Sequence, residues 1–219
     1  MRFYPIPMIA AMLLFTFSLA AQDDSRYNLL LKSGSFIPSK NITANKIESF
    51  NRVAARTTGK AFALVQFEKI PTEYEKQQLL HSGIELLEYI PYNAYTVTIT
   101  GQLDPDLLSR MKARAIVELT AEQKMQPALA KGLFPAHAVK IAGTLDVWIS
   151  FPKSFSFETV SRELQIKNFD ILNVDYKTYR VITLRIAAMR LNELASLPFV
   201  EYVQTVPTAD QELNYNSMF

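Results

Sequence analysis

The chain has 219 residues, a formal charge of +2 from 23 Lys and Arg against 21 Asp and Glu, and no cysteine. A near-neutral chain without a basic stripe argues against nucleic acid as a partner. Without cysteine, an exported chain of this kind has no disulfide bonds and must be held by core packing alone.

The N-terminus, residues 1–21, predicts a signal peptide. Arg2 supplies a positive start, residues 8–17 are an apolar run too short to span a bilayer comfortably, and Ser18-Leu19-Ala20 supplies the small residues that a signal peptidase reads. An N-terminal membrane anchor is the alternative. We therefore expect an exported protein, periplasmic or extracellular, with no membrane contact after cleavage.

Residues 22–59 are polar and predict a leader arm with one short helix. The helical spacing runs over residues 42–55 through Ile47, Phe50 and Val53. The triplet Asn41-Ile-Thr43 is a permitted glycosylation sequon, but in a chain of bacterial type we interpret it as carrying no meaning.

One pattern then occurs twice, at an offset of roughly 84 residues, which is the length of a domain rather than of a solenoid unit. The copies occupy residues 60–126 and 144–207, with a Pro-containing linker at 127–143 and a tail at 208–219. The anchors that align the copies are Phe67 with Phe151, Tyr95 with Tyr179, and Val117-Glu118 with Val200-Glu201.

The first copy predicts a strand at 62–67 and then a helix that begins with a capping box, Thr72 to Glu75, and ends at Gly83. Strands at 84–90 and 94–99 are separated by the turn at 91–93. A second helix begins at Asp104-Pro105 and runs to about residue 113, before a closing strand at 117–119.

The second copy repeats this order with other turn residues. Strands are predicted at 147–151, 169–174, 178–186 and 200–206, and helices from Ser154 or Ser156 to Asn168 and over 188–196. Each copy thus has the order βαββαβ. The fold class is α+β: two tandem ferredoxin-like domains, each a four-stranded antiparallel sheet with two helices on one face.

Several strands are apolar on both sides, although a ferredoxin-like sheet has only one face covered by helices. Ile84, Leu86 and Ile90 oppose Leu87 and Tyr89. In the second copy, Ile182 and its neighbours oppose Tyr179 and Val181. The open faces therefore need a cover, which is either the other copy or a partner protein.

The search for catalytic and metal-binding patterns returns none. His81 and His137 lie far apart, and the sequence contains no phosphate-binding glycine loop and no nucleophile elbow. The pair Asp104/Asp106 is interpreted as helix-capping and surface residues. We therefore predict a protein that is not an enzyme and has no metal or cofactor.

Two aromatic features are candidates for recognition or for packing. Trp148 lies mid-strand and is interpreted as packing. The hairpin that carries Tyr89, Tyr92 and Tyr95 is a candidate binding tip, because tyrosine is favoured at protein interfaces.

The strings Ala63-Leu-Val-Gln-Phe67 and Gly83-Ile-Glu-Leu-Leu-Glu-Tyr-Ile-Pro-Tyr-Asn-Ala-Tyr-Thr-Val97 resemble the N-terminal pro-regions of bacterial subtilisin-like serine peptidases. The resemblance covers about residues 60–125 well and the second copy in pattern only. It implies ferredoxin-like propeptide/inhibitor domains that assist folding of a peptidase and inhibit it. Its open sheet face would pack on the enzyme.

In such pro-regions the segment after the last strand enters the substrate cleft as an added strand. The resemblance gives that role to the tail, through Leu213, Asn214, Tyr215, Met218 and Phe219. A disordered terminus is the alternative. Because the Asp, His and Ser motifs of a catalytic domain do not occur, the peptidase would be bound in trans, or in cis if the chain is the front end of a larger one.

Overall fold

A computed structural model describes residues 25–208. The predicted signal peptide (1–21) and the residues predicted to bind the cleft (Leu213, Asn214, Tyr215, Met218 and Phe219) lie outside the described residues. Within residues 25–208, no helix has the length and apolar character needed to cross a membrane.

The N-terminal arm consists of a hairpin and a helix. Strands β1 (Leu29–Leu31) and β2 (Gly34–Phe36) pair antiparallel, and helix α1 (Ala44–Val53) follows. The Thr43 side chain caps α1 by accepting a hydrogen bond from the Lys46 amide.

Domain 1 contains six elements: β3 (Lys60–Phe67), α2 (Glu73–His81), β4 (Ile84–Ile90), β5 (Ala94–Thr100), α3 (Pro105–Arg110) and β6 (Ala113–Val117). Its sheet has the order β4-β5-β3-β6, and every pair is antiparallel. The last strand therefore lies beside the first, as the ferredoxin-like order requires.

Domain 2 repeats this order after the short helix α4 (Pro127–Ala130). Its elements are β7 (Thr144–Ser150), α5 (Phe157–Ile166), β8 (Asp170–Asn173), β9 (Val181–Ala187), α6 (Leu191–Ala195) and β10 (Tyr202–Thr205). The sheet order is β10-β7-β9-β8, again antiparallel throughout. The α+β fold of two ferredoxin-like domains is confirmed.

Local chemistry explains where the helices begin. Thr72 and Glu75 form a reciprocal capping box at α2. Asp104 caps α3 through the Asp106 amide, with proline at the first helical position, and Ser156 caps α5. These three starts agree with the sequence analysis.

Of the three pairs of residues predicted to occupy equivalent positions in the two copies, two are not equivalent. Phe67 and Phe151 are equivalent, since each is fully buried at the end of the first strand. Tyr95 lies opposite Val65 in the first sheet, whereas the residue opposite the equivalent Ile149 is Ile182. The connection between the middle strands is longer in domain 2 (174–180 against 91–93), and this difference shifts the alignment.

The closing strand of domain 1 also differs from its prediction. Helix α3 ends at Arg110, Lys112 turns the chain with a positive φ of 56°, and β6 begins at Ala113. Ile116 and Val203 occupy equivalent positions, opposite Val65 and Ile149. Val117-Glu118 is therefore not equivalent to Val200-Glu201.

The arm is part of domain 1 rather than a separate leader. Ile47 and Phe50 of α1 belong to the core between the domain 1 sheet and its helices. The hairpin covers the opposite face, where Leu29 packs with Leu64, Ile90 and Ala94. The arm therefore packs on both faces of the domain 1 sheet, with α1 on one and the hairpin on the other.

Residues 124–130 span the predicted boundary between domain 1 (60–126) and the linker (127–143), and they pack on domain 2. Met125 forms a parallel bridge with Val203, and the Gln126 amide donates to the Val203 carbonyl over 2.8 Å. Leu129 of α4 is buried in the domain 2 core. The Lys124 ammonium donates to the Leu197 carbonyl, and burial lowers the pKa of Lys124 to about 8, opposed by the charge of Glu118.

Asn41 protects the edge of the domain 1 sheet. Its side-chain amide donates to the Ile116 carbonyl over 2.8 Å, and its side-chain oxygen accepts from the Ile116 amide over 2.9 Å. Unpaired edge strands otherwise invite association with other chains. The side chain of the sequon asparagine is therefore occupied by hydrogen bonds to the edge strand β6.

We expect Gly83→Ala to lower the free energy of unfolding more than Gly101→Ala, measured by urea denaturation. Both glycines have positive φ, 85° and 80°, so each alanine loses about 1–2 kcal/mol from backbone strain. A Cβ at Gly83 would also overlap the Thr100 carbonyl oxygen, whereas one at Gly101 meets nothing within 4 Å. Equal losses would contradict this steric account.

Candidate functional site

The predicted partner-binding residues fall into different settings instead of forming one open sheet face. Tyr89 and Tyr92 are each 45 % exposed, whereas Tyr95 is 9 % exposed and belongs to the domain 1 core. Leu87 is partly buried. We call Tyr89, Tyr92 and Tyr95, on β4, the turn and β5, the tyrosine hairpin.

A β-bulge explains why the predicted faces are wrong for β4. The register shifts between Leu86 and Tyr89, so Leu86 lies opposite Val97 and Tyr89 opposite Tyr95, both on the helix-covered side. Ile90, predicted to share a side with Leu86, packs under the arm on the other face. An extra residue in one strand reverses the alternation that follows it.

The tyrosine hairpin is built on a stack of rings. The Tyr95 ring meets the Phe67 ring at 6.2 Å between centroids with planes at 75°, and the Tyr89 ring at 5.3 Å and 66°. Edge-to-face contacts of this kind add stability beyond the buried area. The exposed Tyr89 ring therefore rests on a rigid base that reaches the core.

The turn of the hairpin has an unusual backbone. Tyr92 and Asn93 have successive positive φ values of 70° and 62°. Asn and Gly adopt such values readily, whereas a bulky residue such as tyrosine is strained by them. The buried Gln66 side chain donates to the Tyr92 carbonyl over 3.0 Å, and the Asn93 side chain donates to the Glu68 carbonyl over 3.2 Å. These bonds hold an exposed tyrosine in a strained conformation.

In domain 2 the predicted residues separate as well. Tyr179 is 56 % exposed in the turn Lys177–Tyr179, whereas Val181 is 3 % exposed and lies opposite Ser150 in the sheet. Trp148 is buried on the same face as Ser150, and its ring lies 5.1 Å from that of Tyr176. Of the two covers that the sequence left open for this face, the chain itself and a partner protein, the chain buries Val181.

The two domains and the arm meet around a small cavity of about 50 Å³, which we call the seam. Phe62, Leu64 and Ile90 contribute apolar walls from domain 1, and Leu30 and Leu31 from the arm. A ligand pocket is typically several hundred Å³, so this space suits a water molecule or two rather than a metabolite.

Polar contacts also join domain 2 to domain 1 and to the arm. The Lys60 ammonium donates to the Ser154 carbonyl over 2.7 Å and lies 6.0 Å above the Phe155 ring. The Lys32 ammonium of the arm lies 5.5 Å above the Tyr202 ring. The sheet faces that needed a cover are therefore closed within the chain, by the arm and by the other domain.

Glu201 is the titratable group that the sequence analysis missed. Burial raises its pKa to about 7, and Glu88 adds to the rise, while Arg180, a hydrogen bond from the Ser150 hydroxyl, and Lys32 oppose it. Burial also lowers the pKa of Lys32 and raises that of Tyr202 to about 12. No sequence pattern marks Glu201, because its surroundings, where it lines the seam, depend on how the domains meet.

Other side chains named in the sequence analysis have structural partners. The Nδ1 atom of His81 lies 2.7 Å from the Gln77 carbonyl, and the Nε2 atom of His137 lies 2.9 Å from the Val206 carbonyl. Asp104 caps α3. Across residues 25–208, no three His, Cys, Asp or Glu side chains are grouped so as to hold a metal ion.

A family model described as a domain of unknown function (DUF8729) matches residues 30–120. This range runs from the arm hairpin through α1 to the end of β6, and covers less than half of the chain. It agrees with the packing of the arm on domain 1 as one unit. No curated protein and no solved structure matches the chain.

We expect Tyr92→Asn to leave the free energy of unfolding unchanged or to raise it by up to about 1 kcal/mol, because asparagine tolerates the left-handed backbone. Tyr95→Asn should lower it by about 3 kcal/mol or more, since that ring is buried. Urea denaturation measures both. A large loss in Tyr92→Asn would show that the exposed ring is needed for folding.

Proposed function

We propose that the protein is an exported, non-catalytic module that binds a subtilisin-like serine peptidase, as an inhibitor or as an assistant to its folding, through the tyrosine hairpin. The observation that carries the proposal is the exposed Tyr92 on a strained turn, beside the exposed Tyr89 at the end of β4. Non-glycine residues held in rare backbone conformations cluster at functional sites.

Protein recognition is the function that this geometry supports best. Exposed tyrosines combine a large apolar ring with a polar tip and lose little conformational freedom on binding. Here the freedom is reduced further, because the Tyr89 ring packs against Tyr95 and the turn is fixed by Gln66 and Asn93. A partner that covers the two rings would meet a surface already in its bound conformation.

The choice of partner rests on the resemblance to subtilisin-like pro-regions. The segment that carries the resemblance, residues 83–97, is the segment that folds into β4, the turn and β5. The exposed tyrosines therefore lie within the most similar part of the chain. The tail that follows β10 is the second proposed contact, as the strand that would enter the cleft.

The geometry changes the proposed mode of binding. Docking through an open sheet face would require Leu64 and Val181 to be accessible, and both are buried. In the closed arrangement, binding thus relies on the hairpin and the tail. A peptidase held in cis or in trans would be engaged at these two places.

A structural module without a peptidase partner is the second candidate. It is favoured by the closure of both sheet faces within the chain, because a protein that buries its own apolar faces needs no other cover. The two candidates differ in what they predict for the exposed tyrosines, which a purely structural module does not use.

We expect the chain without residues 1–21 to inhibit a bacterial subtilisin at micromolar concentrations. Tyr89→Ala and Tyr92→Asn should each weaken inhibition by roughly tenfold or more, since buried tyrosines are frequent interface hot spots. Deletion of residues 207–219 should weaken it as well. Inhibition constants from hydrolysis of a chromogenic peptide measure all four proteins.

Tyr74→Gln is the matched control, because Tyr74 is also an exposed tyrosine of domain 1 but lies on α2. Its inhibition constant should equal that of the unmodified chain. Absence of inhibition by the unmodified chain would refute the peptidase proposal and favour the structural module. Equal weakening by Tyr74→Gln would refute the assignment to the hairpin.

A further inference from the structure

An open groove of about 670 Å³ lies in domain 2, between the end of β10 and the segment that follows α4. Residues 204–207 line it from the strand and the chain just after it, and Leu133, Phe134, Pro135 and His137 line it from the connecting segment. We call this space the C-terminal groove. Its volume lies in the range of clefts that hold ligands, unlike that of the seam.

Hydrogen bonds join the two sides of the C-terminal groove. The Nε2 atom of His137 lies 2.9 Å from the Val206 carbonyl oxygen. The Gln126 side-chain oxygen accepts from the Thr205 amide over 3.1 Å and from the Thr205 hydroxyl over 3.2 Å. Because that outward amide of β10 is already bonded, an occupant of the groove meets side chains instead of adding as a strand at this point.

The connecting segment offers apolar side chains to an occupant. Leu133 is 61 % exposed and Phe134 is 38 % exposed, and both line the groove. Val139 and Ile141, further along the same segment, are exposed as well. Four large apolar side chains left uncovered within residues 133–141 form a surface suited to an apolar partner.

The chain itself leads an apolar segment to this groove. Pro207 lines the groove and Thr208 is the last described residue, so residues 209–219 begin beside it. Leu213 and Tyr215 follow within seven residues of Thr208. An extended chain spans at most about 3.3–3.6 Å per residue, so Leu213 lies within roughly 18 Å of that point and remains close to the groove.

We propose that residues 209–219 dock in the C-terminal groove of their own chain, with Leu213 and Tyr215 against Leu133 and Phe134. A short tether gives an effective concentration on the order of 1 mM. A contact with a dissociation constant of only about 0.1 mM would then keep the tail docked about nine-tenths of the time. A few apolar contacts are enough for an affinity of this size.

Charge favours the same occupant. The tail carries Asp210 and Glu212, and Lys131 is exposed at the end of α4, two residues before Leu133. Opposite charges on exposed side chains attract weakly and are screened by salt. The apolar contacts therefore supply most of the affinity, and the charges favour this acidic segment over a basic one.

Docking would regulate the contact that the tail makes under the proposed function, and this consequence rests on that function. A tail that is docked nine-tenths of the time is free for about one-tenth, which weakens binding through the tail about tenfold. Phe134→Ser should therefore lower the inhibition constant for subtilisin by up to about tenfold. The docking itself requires no peptidase and is tested without one.

The chain has no cysteine, so two introduced cysteines can report on the docked tail. Ala128→Cys places one in the groove, and Asn214→Cys places the other between Leu213 and Tyr215. In the chain without residues 1–21, we expect an intramolecular disulfide to form in a glutathione buffer. Mass spectrometry of samples quenched over time gives the rate.

Phe134→Ser in this two-cysteine chain keeps the tether and removes the docking surface, so the rate should fall about fivefold or more. Leu213→Ser makes the same test from the tail, and it decides the matter if Phe134→Ser does not fold as judged by circular dichroism. Val53→Ser is the matched control, because Val53 is an exposed apolar residue on α1 of the arm; its rate should be unchanged.

Four results would overturn the proposal. These are no disulfide, a rate that neither Phe134→Ser nor Leu213→Ser lowers, an equal fall in Val53→Ser, and disulfides that form mainly between two chains. The second would mean that the tether alone brings the cysteines together, and the last that the groove takes the tail of another copy. Failure to inhibit a peptidase would refute the proposed function and leave these rates as they are.

Discussion

Each ferredoxin-like sheet has one face covered by its own helices and one face that something else must cover. In this chain the second faces are apolar enough to require burial, with Phe62 and Leu64 on one sheet and Trp148 and Val181 on the other. The arm hairpin and the meeting of the two domains both follow from that requirement.

Covering those faces internally restricts what remains for binding. The largest apolar surfaces are used within the chain, so a partner is left with edges, turns and termini. Among the non-glycine residues at positive φ between residues 25 and 208, Tyr92 is the aromatic one, and its side chain is exposed. Loops and turns on a rigid scaffold are where binding residues are usually found.

The sequence by itself determined the duplication, the βαββαβ order and the helix starts at Thr72 and Asp104, because these depend on local hydrogen bonding and on periodicity over a few residues. For α5 it left Ser154 and Ser156 open, and the structure shows Ser156 as the cap. Only the tertiary structure decided which way Tyr89 and Ile90 face, since a bulge reversed the alternation. It also decided that the arm and residues 124–130 are packed parts of the domains. Those features depend on contacts between residues far apart in the chain, which spacing along the sequence does not encode.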